Sequence, residues 1–262
     1  MGRMESQLTD IDFGEVVHVA RPASPSSVLV VCEHASNRVP DGLDGLGLSD
    51  AVLASHVAWD PGALPVARRM AQRLGAGLVS GGVSRLVYDC NRPPEADSAI
   101  AERSEVHDIP GNRGLSDMQR RQRVDRVYHA FHAALGAEIA RQAETLALLV
   151  TVHSFTPVYH GRPRDVEIGI LHGRDARFAS AMMAQIPENP AFVTRLNEPY
   201  SAADGVAHTL DRQGAANGLP SVMIEVRNDL IQTRDAQERV ADHLADWVSS
   251  TLDALTDGGV AG

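Results

Sequence analysis

The chain has 262 residues, 44% hydrophobic and 22% charged, with 22 glycines and 14 prolines, a balance that excludes disordered and collagen-like chains. A formal net charge of −10 and a sequence pI of about 5.5 leave no basic stripe to attract a polyanion, so nucleic acid is not an expected partner. All 24 basic residues are arginine, and a chain without lysine cannot run P-loop, protein-kinase, pyridoxal, Schiff-base or Ser-x-x-Lys chemistry.

Cys32 and Cys90 are too few for a disulfide framework and fit a reducing compartment. Residues 1–27 mix Arg3, Glu5, Asp10, Asp12 and Glu15 without an apolar run, so neither a signal peptide nor an anchor is expected there. No later stretch approaches the roughly 20 apolar residues of a spanning helix. The expectation is a cytoplasmic protein with no membrane partner and a single domain over residues 1–262, in which 1–27 is a lead-in and 257–262 a frayed tail.

In chain order, Val28–Cys32 reads as a buried strand that delivers Glu33, His34, Ser36 and Asn37 at its carboxyl end. Asp60-Pro61-Gly62 then reads as a helix start, with Asp60 available as the cap and Leu64, Ala67, Met70 and Leu74 at helical spacing before Gly75. Strands are predicted at 77–80 and 85–89, the second followed by Asn91 and Arg92. A helix after Ser116 carries Val124, Val127, Phe131, Leu135 and Ile139 inward and its arginines outward. The most apolar run, 146–152, delivers His153 and Ser154, and strands at 166–171 and 221–226 follow, the last containing Glu225 and delivering Arg227. A final helix from Asp235 to about Leu255 places Val240, Leu244, Trp247 and Leu255 inward. Alternating strands and helices predict an α/β fold with a mostly parallel sheet covered on both faces.

In such sheets the ligand crevice lies beyond the carboxyl ends of the strands, where these polar residues collect. Two histidines and a carboxylate are the usual donors of a catalytic zinc site with one open position, and His34 and His153 are the best pair. The third donor is open between Asp60 and Asn37, an amide oxygen being the poorer zinc ligand. Glu225 is the candidate base for a metal-activated water, with a buried ion pair to Arg85 or Arg227 as its structural alternative. Arg85 and Arg92 have the forked guanidinium that suits a carboxylate substrate, although Asp89 or Glu95 could equally hold them. Glu167 opens its strand and is assigned to the opposite edge. Gly82-Val-Ser-Arg-Leu86 lacks the closing glycine of a nucleophile elbow, Cys32 reads as a buried core thiol, and His129 and His132 read as solvated or packing residues.

Six segments carry a further signal: Val31-Cys-Glu-His-Ala-Ser-Asn-Arg-Val-Pro40, Trp59-Asp-Pro-Gly-Ala63, Ser84-Arg-Leu-Val-Tyr-Asp-Cys-Asn-Arg-Pro93, Val152-His-Ser-Phe-Thr-Pro157, Asn197-Glu-Pro-Tyr200 and Ile224-Glu-Val-Arg-Asn-Asp-Leu230. In this order they resemble the N-formylglutamate amidohydrolase family, in a side branch with the Cys-Glu-His-Ala-Ser-Asn and His-Ser-Phe-Thr-Pro motifs. The resemblance implies a three-layer α/β/α fold of the zinc-exopeptidase (phosphorylase/hydrolase-like) kind. It also implies one divalent metal, zinc first, and hydrolysis of a small N-acyl amino acid, N-formylglutamate giving formate and glutamate. By that likeness His34, His153 and Asp60 carry over as metal ligands and Glu225 as the base. Arg85 would polarise the scissile carbonyl, Asn91 and Arg92 would hold substrate carboxylates, and Asn197, Tyr200 and Arg227 would line the rest of the pocket. Gln213 stands where a histidine would be expected, with His208 a shifted substitute. The nearest alternative is a zinc carboxypeptidase or a deacylase of another N-acyl amino acid or peptide; a non-catalytic carboxylate binder is the other.

Overall fold

The computed structural model describes residues 11–258; residues 1–10 of the lead-in and 259–262 of the tail lie outside the described residues. A seven-stranded sheet forms the middle layer. Its strands are β1 (Val17–Ala20), β2 (Val28–Cys32), β3 (Gly77–Gly81), β4 (Leu148–Phe155), β5 (Ile168–Leu171), β6 (Thr194–Leu196) and β7 (Ser221–Arg227), in the order β1-β3-β2-β4-β7-β5-β6. The four central strands β3, β2, β4 and β7 are parallel to one another, β1 is antiparallel to β3, and β5 is antiparallel to β7 and parallel to β6.

Period-two alternation divides the core between the two faces of this sheet. Val28, Val30, Cys32, Val150, Val152, Val222, Ile224 and Val226 face a layer of α1 (Ala63–Leu74), α3 (Arg177–Ala184) and α4 (Arg234–Gly258), through Val66, Met70, Phe178, Leu244 and Val248. Leu29, Val31, Val79 and Leu149 face the other layer, which contains Tyr88, Phe131, Leu135 and Ile139. Its long helix α2 runs as Asp117–Arg123, a π-helical Val124–His129 and Ala130–Arg141, started by a reciprocal Ser116–Gln119 capping box. By parity His153 and Glu225 fall on the same side as Leu149 and Met223, so the sheet offers its polar positions to the α2 side at the carboxyl ends of β4 and β7.

The structure departs from the sequence reading in several places. Residues 85–89 are a buried turn rather than a strand: Ser84 Oγ accepts from Leu86 N at 3.1 Å while its carbonyl accepts from Val87 N, and the hydroxyl donates to Ala58 O at 2.7 Å. A local hydroxyl–backbone turn of this kind competes with a sheet ladder. The lead-in contains β1, which pairs with β3, and β6 and α3 were not anticipated. Arg123 points inward, donating to Asn112 Oδ1, Val87 O and Gly111 O, and Leu255 is exposed. Gly62, rather than Asp60, caps α1; it sits at φ +82°, and a Cβ there would lie 2.7 Å from Ile231 O. Only glycine fits that approach, and the tight turn leaves the Asp60 side chain free to face the strand ends.

Candidate active site

Two loops and one strand bring His34, Asp60 and His153 together. Asp60 N donates to His34 O at 2.9 Å, and Ser154 ties β4 to the same loop, its backbone N donating to Asp60 Oδ2 at 3.2 Å and its hydroxyl to Pro61 O at 2.8 Å. His153 Nδ1 lies 2.9 Å from Asp60 Oδ2 and 3.2 Å from His34 Nδ1, and His34 Nδ1 lies 3.4 Å from the same carboxylate oxygen. All three side chains are buried.

Each histidine is held from behind by a second carboxylate. His34 Nε2 lies 2.7 Å from Asp89 Oδ1, and His153 Nε2 lies 3.0 Å from Glu33 Oε2, the latter at a poor hydrogen-bond angle. With the Nε2 protons directed to Asp89 and Glu33, both neutral rings turn an Nδ1 lone pair toward Asp60, an arrangement that second carboxylates impose on metal-binding histidines. In that tautomer three electron-pair donors converge on one point, an arrangement a bound cation would satisfy. This donor set fits a divalent metal with an open position, and it is the one such group among the described residues. Considered without an ion, both imidazoles are pushed above their usual range: burial opposes this, but Asp89 and Asp60 outweigh it at His34, and Glu33 and Asp60 at His153. Asp60 is held far below the carboxylate range, since the two histidines overcome its burial. Asn37, the other candidate third ligand, is exposed and donates to Leu53 O at 3.0 Å, away from the cluster.

The cluster forms one wall of a cavity of about 580 Å³, within the range of small-molecule sites. Glu225 lines it beside His153, its register partner on the neighbouring strand. It makes no ion pair, and its Oε2 is buried without a hydrogen-bond partner. Burial, partly opposed by His153 and reinforced by Asp60, pushes its carboxyl up to about 7; the alternative ion pair with Arg85 or Arg227 is not formed, Arg85 being held by Asp60 and Asp89 and Arg227 by Glu167 and Asp229. Arg85 lines the cavity beside the cluster, Nη2 donating to Asp89 Oδ2 at 2.8 Å and Nη1 3.5 Å from Asp60 Oδ1. Arg92 lines the cavity, with Nη1 donating to Asn91 O and Gly205 O. Tyr200 lines it too, its hydroxyl pushed up to about 12 by burial and the charge of Glu225.

Other residues singled out from sequence are placed differently. Asn91 reaches the cavity wall, but its amide is committed to the backbone, donating to Val206 O and accepting from Thr209 N at 3.0 Å, so it fixes the loop beside Arg92. Asn197 and Arg227 do not line the cavity. Asn197 is hydrogen-bonded to His172. Arg227 is held by Asp229, Glu167 and three carbonyls, because antiparallel β5 brings Glu167 to the carboxyl edge, where Arg227 N donates to Glu167 O. Cys32 packs in the core on the opposite face of the sheet, and burial raises its thiol well above the usual range.

His208 and Gln213 belong to a buried group behind the site. Tyr128 Oη lies 2.9 Å from His208 Nε2, His132 Nε2 donates to Cys90 O at 2.9 Å, and Gln213 Nε2 lies 3.2 Å from His132 Nδ1. Both His132 nitrogens are satisfied in the neutral ring, and burial pushes it down to about 4. The unfolded chain takes up this proton near pH 6.5, so the stabilisation is complete above that pH and is lost as pH falls to about 4, roughly 3 kcal/mol in all. Denaturant titrations across that window are expected to show this loss, reduced in His132→Gln; an unchanged pH slope in the variant would remove His132 as its source.

The model of the N-formylglutamate amidohydrolase family matches residues 26–232. The chain belongs to this family. A crystal structure of gene product Atu2144 from Agrobacterium tumefaciens is 48% identical, covers 93% of this chain and 97% of its own, and superposes with a TM-score of 0.90. N-formylglutamate amidohydrolase from Ralstonia eutropha JMP134 shares the fold at 17% identity, with a TM-score of 0.55 over 90% of this chain and 98% of that one. No curated protein matches. Among the described residues, no helix is long and apolar enough to cross a membrane.

Sequence reasoning missed Glu33, Asp89 and Arg164 as parts of the site. Glu33 and Asp89 had a usable signal, each being an acid at the end of an apolar run; Arg164 had none.

Proposed function

We propose that this chain hydrolyses the amide bond of a small N-acyl amino acid in a metal-dependent reaction, with N-formyl-L-glutamate as the first substrate, giving formate and L-glutamate. The observation that carries this reading is the convergence of His34 Nδ1, His153 Nδ1 and Asp60 Oδ2 beside an unpaired buried glutamate. His34, Asp60 and His153 would hold the ion, zinc being the first choice for this donor set. When bound, it would supply Lewis-acid polarisation of the carbonyl and a more acidic water.

The chain's own groups perform the rest. Glu225 takes the proton of the attacking water on its carboxylate and returns it to the leaving amine nitrogen as the carbon–nitrogen bond breaks. Its burial and lack of a counter-ion keep it basic enough for the first transfer and acidic enough for the second. Arg85, locked by Asp89 and Asp60, presents a fixed guanidinium edge to the carbonyl oxygen as negative charge develops there. Arg92 takes a substrate carboxylate, and Tyr200 lines the same cavity. Arg92→Ala is expected to raise KM for a dicarboxylate substrate with little change in kcat; an unchanged KM would make Arg92 structural.

The test is formate release from N-formyl-L-glutamate against N-acetyl-L-glutamate and short peptides with a carboxyl-terminal glutamate. Formate and glutamate in equal amounts support the reading. Cleavage of the acetyl compound or the peptides alone would replace it with a deacylase or carboxypeptidase, and binding without turnover of any of them would replace it with a carboxylate-binding protein.

A further inference from the structure

Arg164 lies just beyond the short hairpin of Val158–Tyr159 with Arg162–Pro163 and lines the cavity that contains the His34–Asp60–His153 cluster. Its guanidinium carbon sits 4.5 Å from the ring centre of Tyr159, 4.8 Å from that of Tyr200 and 5.5 Å from that of Phe155. Only Nη1 donates to protein, to Tyr200 Oη at 3.1 Å and to Thr156 O at 3.3 Å. Nε and Nη2 have no acceptor among the described residues, although a guanidinium carries five N–H donors in a fixed fork.

The cavity's acids are committed elsewhere or stand apart. Asp60 and Asp89 serve the histidines and Arg85, Glu105 pairs with His56 at 2.8 Å, Asp204 accepts from Ser201, and Glu225 makes no ion pair. Arg92 and Arg164 therefore line one cavity without a carboxylate partner among the described residues. Three ring faces would hold Arg164 in place even if it did nothing else. Stacking alone, however, does not require the free edge of the fork to be left unpaired at a cavity wall.

We propose that Arg164 is a further specificity-determining residue of this cavity, one that takes a substrate carboxylate on the edge of its guanidinium that no protein acceptor occupies. The rings of Tyr159, Tyr200 and Phe155 fix the plane of the guanidinium, the Tyr200 hydroxyl and Thr156 carbonyl occupy Nη1, and the Nε/Nη2 edge offers the two parallel N–H groups that a carboxylate accepts. This rests on the hydrolase reading for its meaning in catalysis, but the recognition itself is a binding property that can be measured without turnover.

The experiment is calorimetric binding of glutarate and of its monoamide, glutaramate, to the zinc-supplemented full-length protein at low ionic strength. Wild type is expected to prefer glutarate by about tenfold or more, the loss typical of an unpaired buried charge partner. Arg164→Met is expected to reduce that preference to within about threefold, and Arg164→Lys to keep part of it, because a point charge replaces the fork. Circular dichroism melts establish that both variants fold, and the lysine variant still tests the proposal if the methionine variant does not. No preference in wild type, a full preference in Arg164→Met, or an equal loss of both ligands with the ratio unchanged would each overturn it, the last by making Arg164 a merely structural residue. Absence of turnover of the formyl compound, the acetyl compound and the peptides alike would overturn the hydrolase reading and leave the carboxylate preference standing.

Discussion

Glu225→Gln is expected to lower kcat by roughly 100-fold to 10,000-fold while leaving the fold and metal affinity in place, the range typical when a general base is removed. The substitution is isosteric and falls on a side chain that holds none of the three ligand atoms. Glu225 is buried at the cavity wall, its Oε2 has no hydrogen-bond partner among the described residues, and the charges that act on it most are those of His153 and Asp60. A buried carboxylate left without a counter-ion is costly to fold. A neutral amide should therefore not lower the melting temperature, which separates loss of chemistry from loss of structure. Steady-state kinetics, metal stoichiometry and thermal melts on the same preparation check the three claims together. Turnover within a few-fold of wild type would remove Glu225 from the mechanism.

His34→Ala and His153→Ala are each expected to abolish stoichiometric metal binding and, with it, hydrolysis. Each deletes one of only three converging protein donors, and neither Asn37 nor His208 is placed to substitute. The carboxylates behind the histidines should matter in a graded way. Asp89→Asn and Glu33→Gln leave all three donors in place but loosen the ring held at 2.7 Å in one case and 3.0 Å in the other. A loss of roughly 10-fold to 100-fold in metal affinity is usual for such outer partners. Competition titration against a chromophoric chelator reads both effects. Full occupancy in either alanine variant would place the metal elsewhere or nowhere.

The main features of the fold were legible because burial writes itself plainly into the parallel strands. Residues 28–32, 148–152 and 221–226 are buried on both faces and mostly apolar, and the residues that follow them had to lie at the carboxyl edge. Position alone was enough to bring His34, His153 and Glu225 together. β1 and β6 were hidden, being edge strands of four and three residues that are largely exposed and carry no periodic signal. Residues 85–89 have strand composition, and only the Ser84 hydroxyl bonds, invisible to apolar periodicity, make them a turn. Asp60 looked like a cap because Asp-Pro-Gly starts helices; that Gly62 takes the cap and frees the carboxylate depends on the close approach of Ile231, a contact 169 positions along the chain. Arg164 could not be read from the sequence, since the tyrosine that accepts from it, Tyr200, lies 36 positions along the chain. Asn197 and Arg227 were assigned by likeness to the pocket, whereas the antiparallel turn of β5 commits Arg227 to Glu167 and leaves Asn197 against His172.

The central claim, that His34, Asp60 and His153 hold a catalytic metal, is tested most directly by the metal content of protein purified without chelator or added metal, followed by zinc titration of any metal-free fraction. The expected result is close to one equivalent of a divalent metal per chain, zinc foremost, or uptake to one equivalent on titration. A wild-type protein that contains none and takes up none would contradict the account and leave the cavity with carboxylate recognition alone.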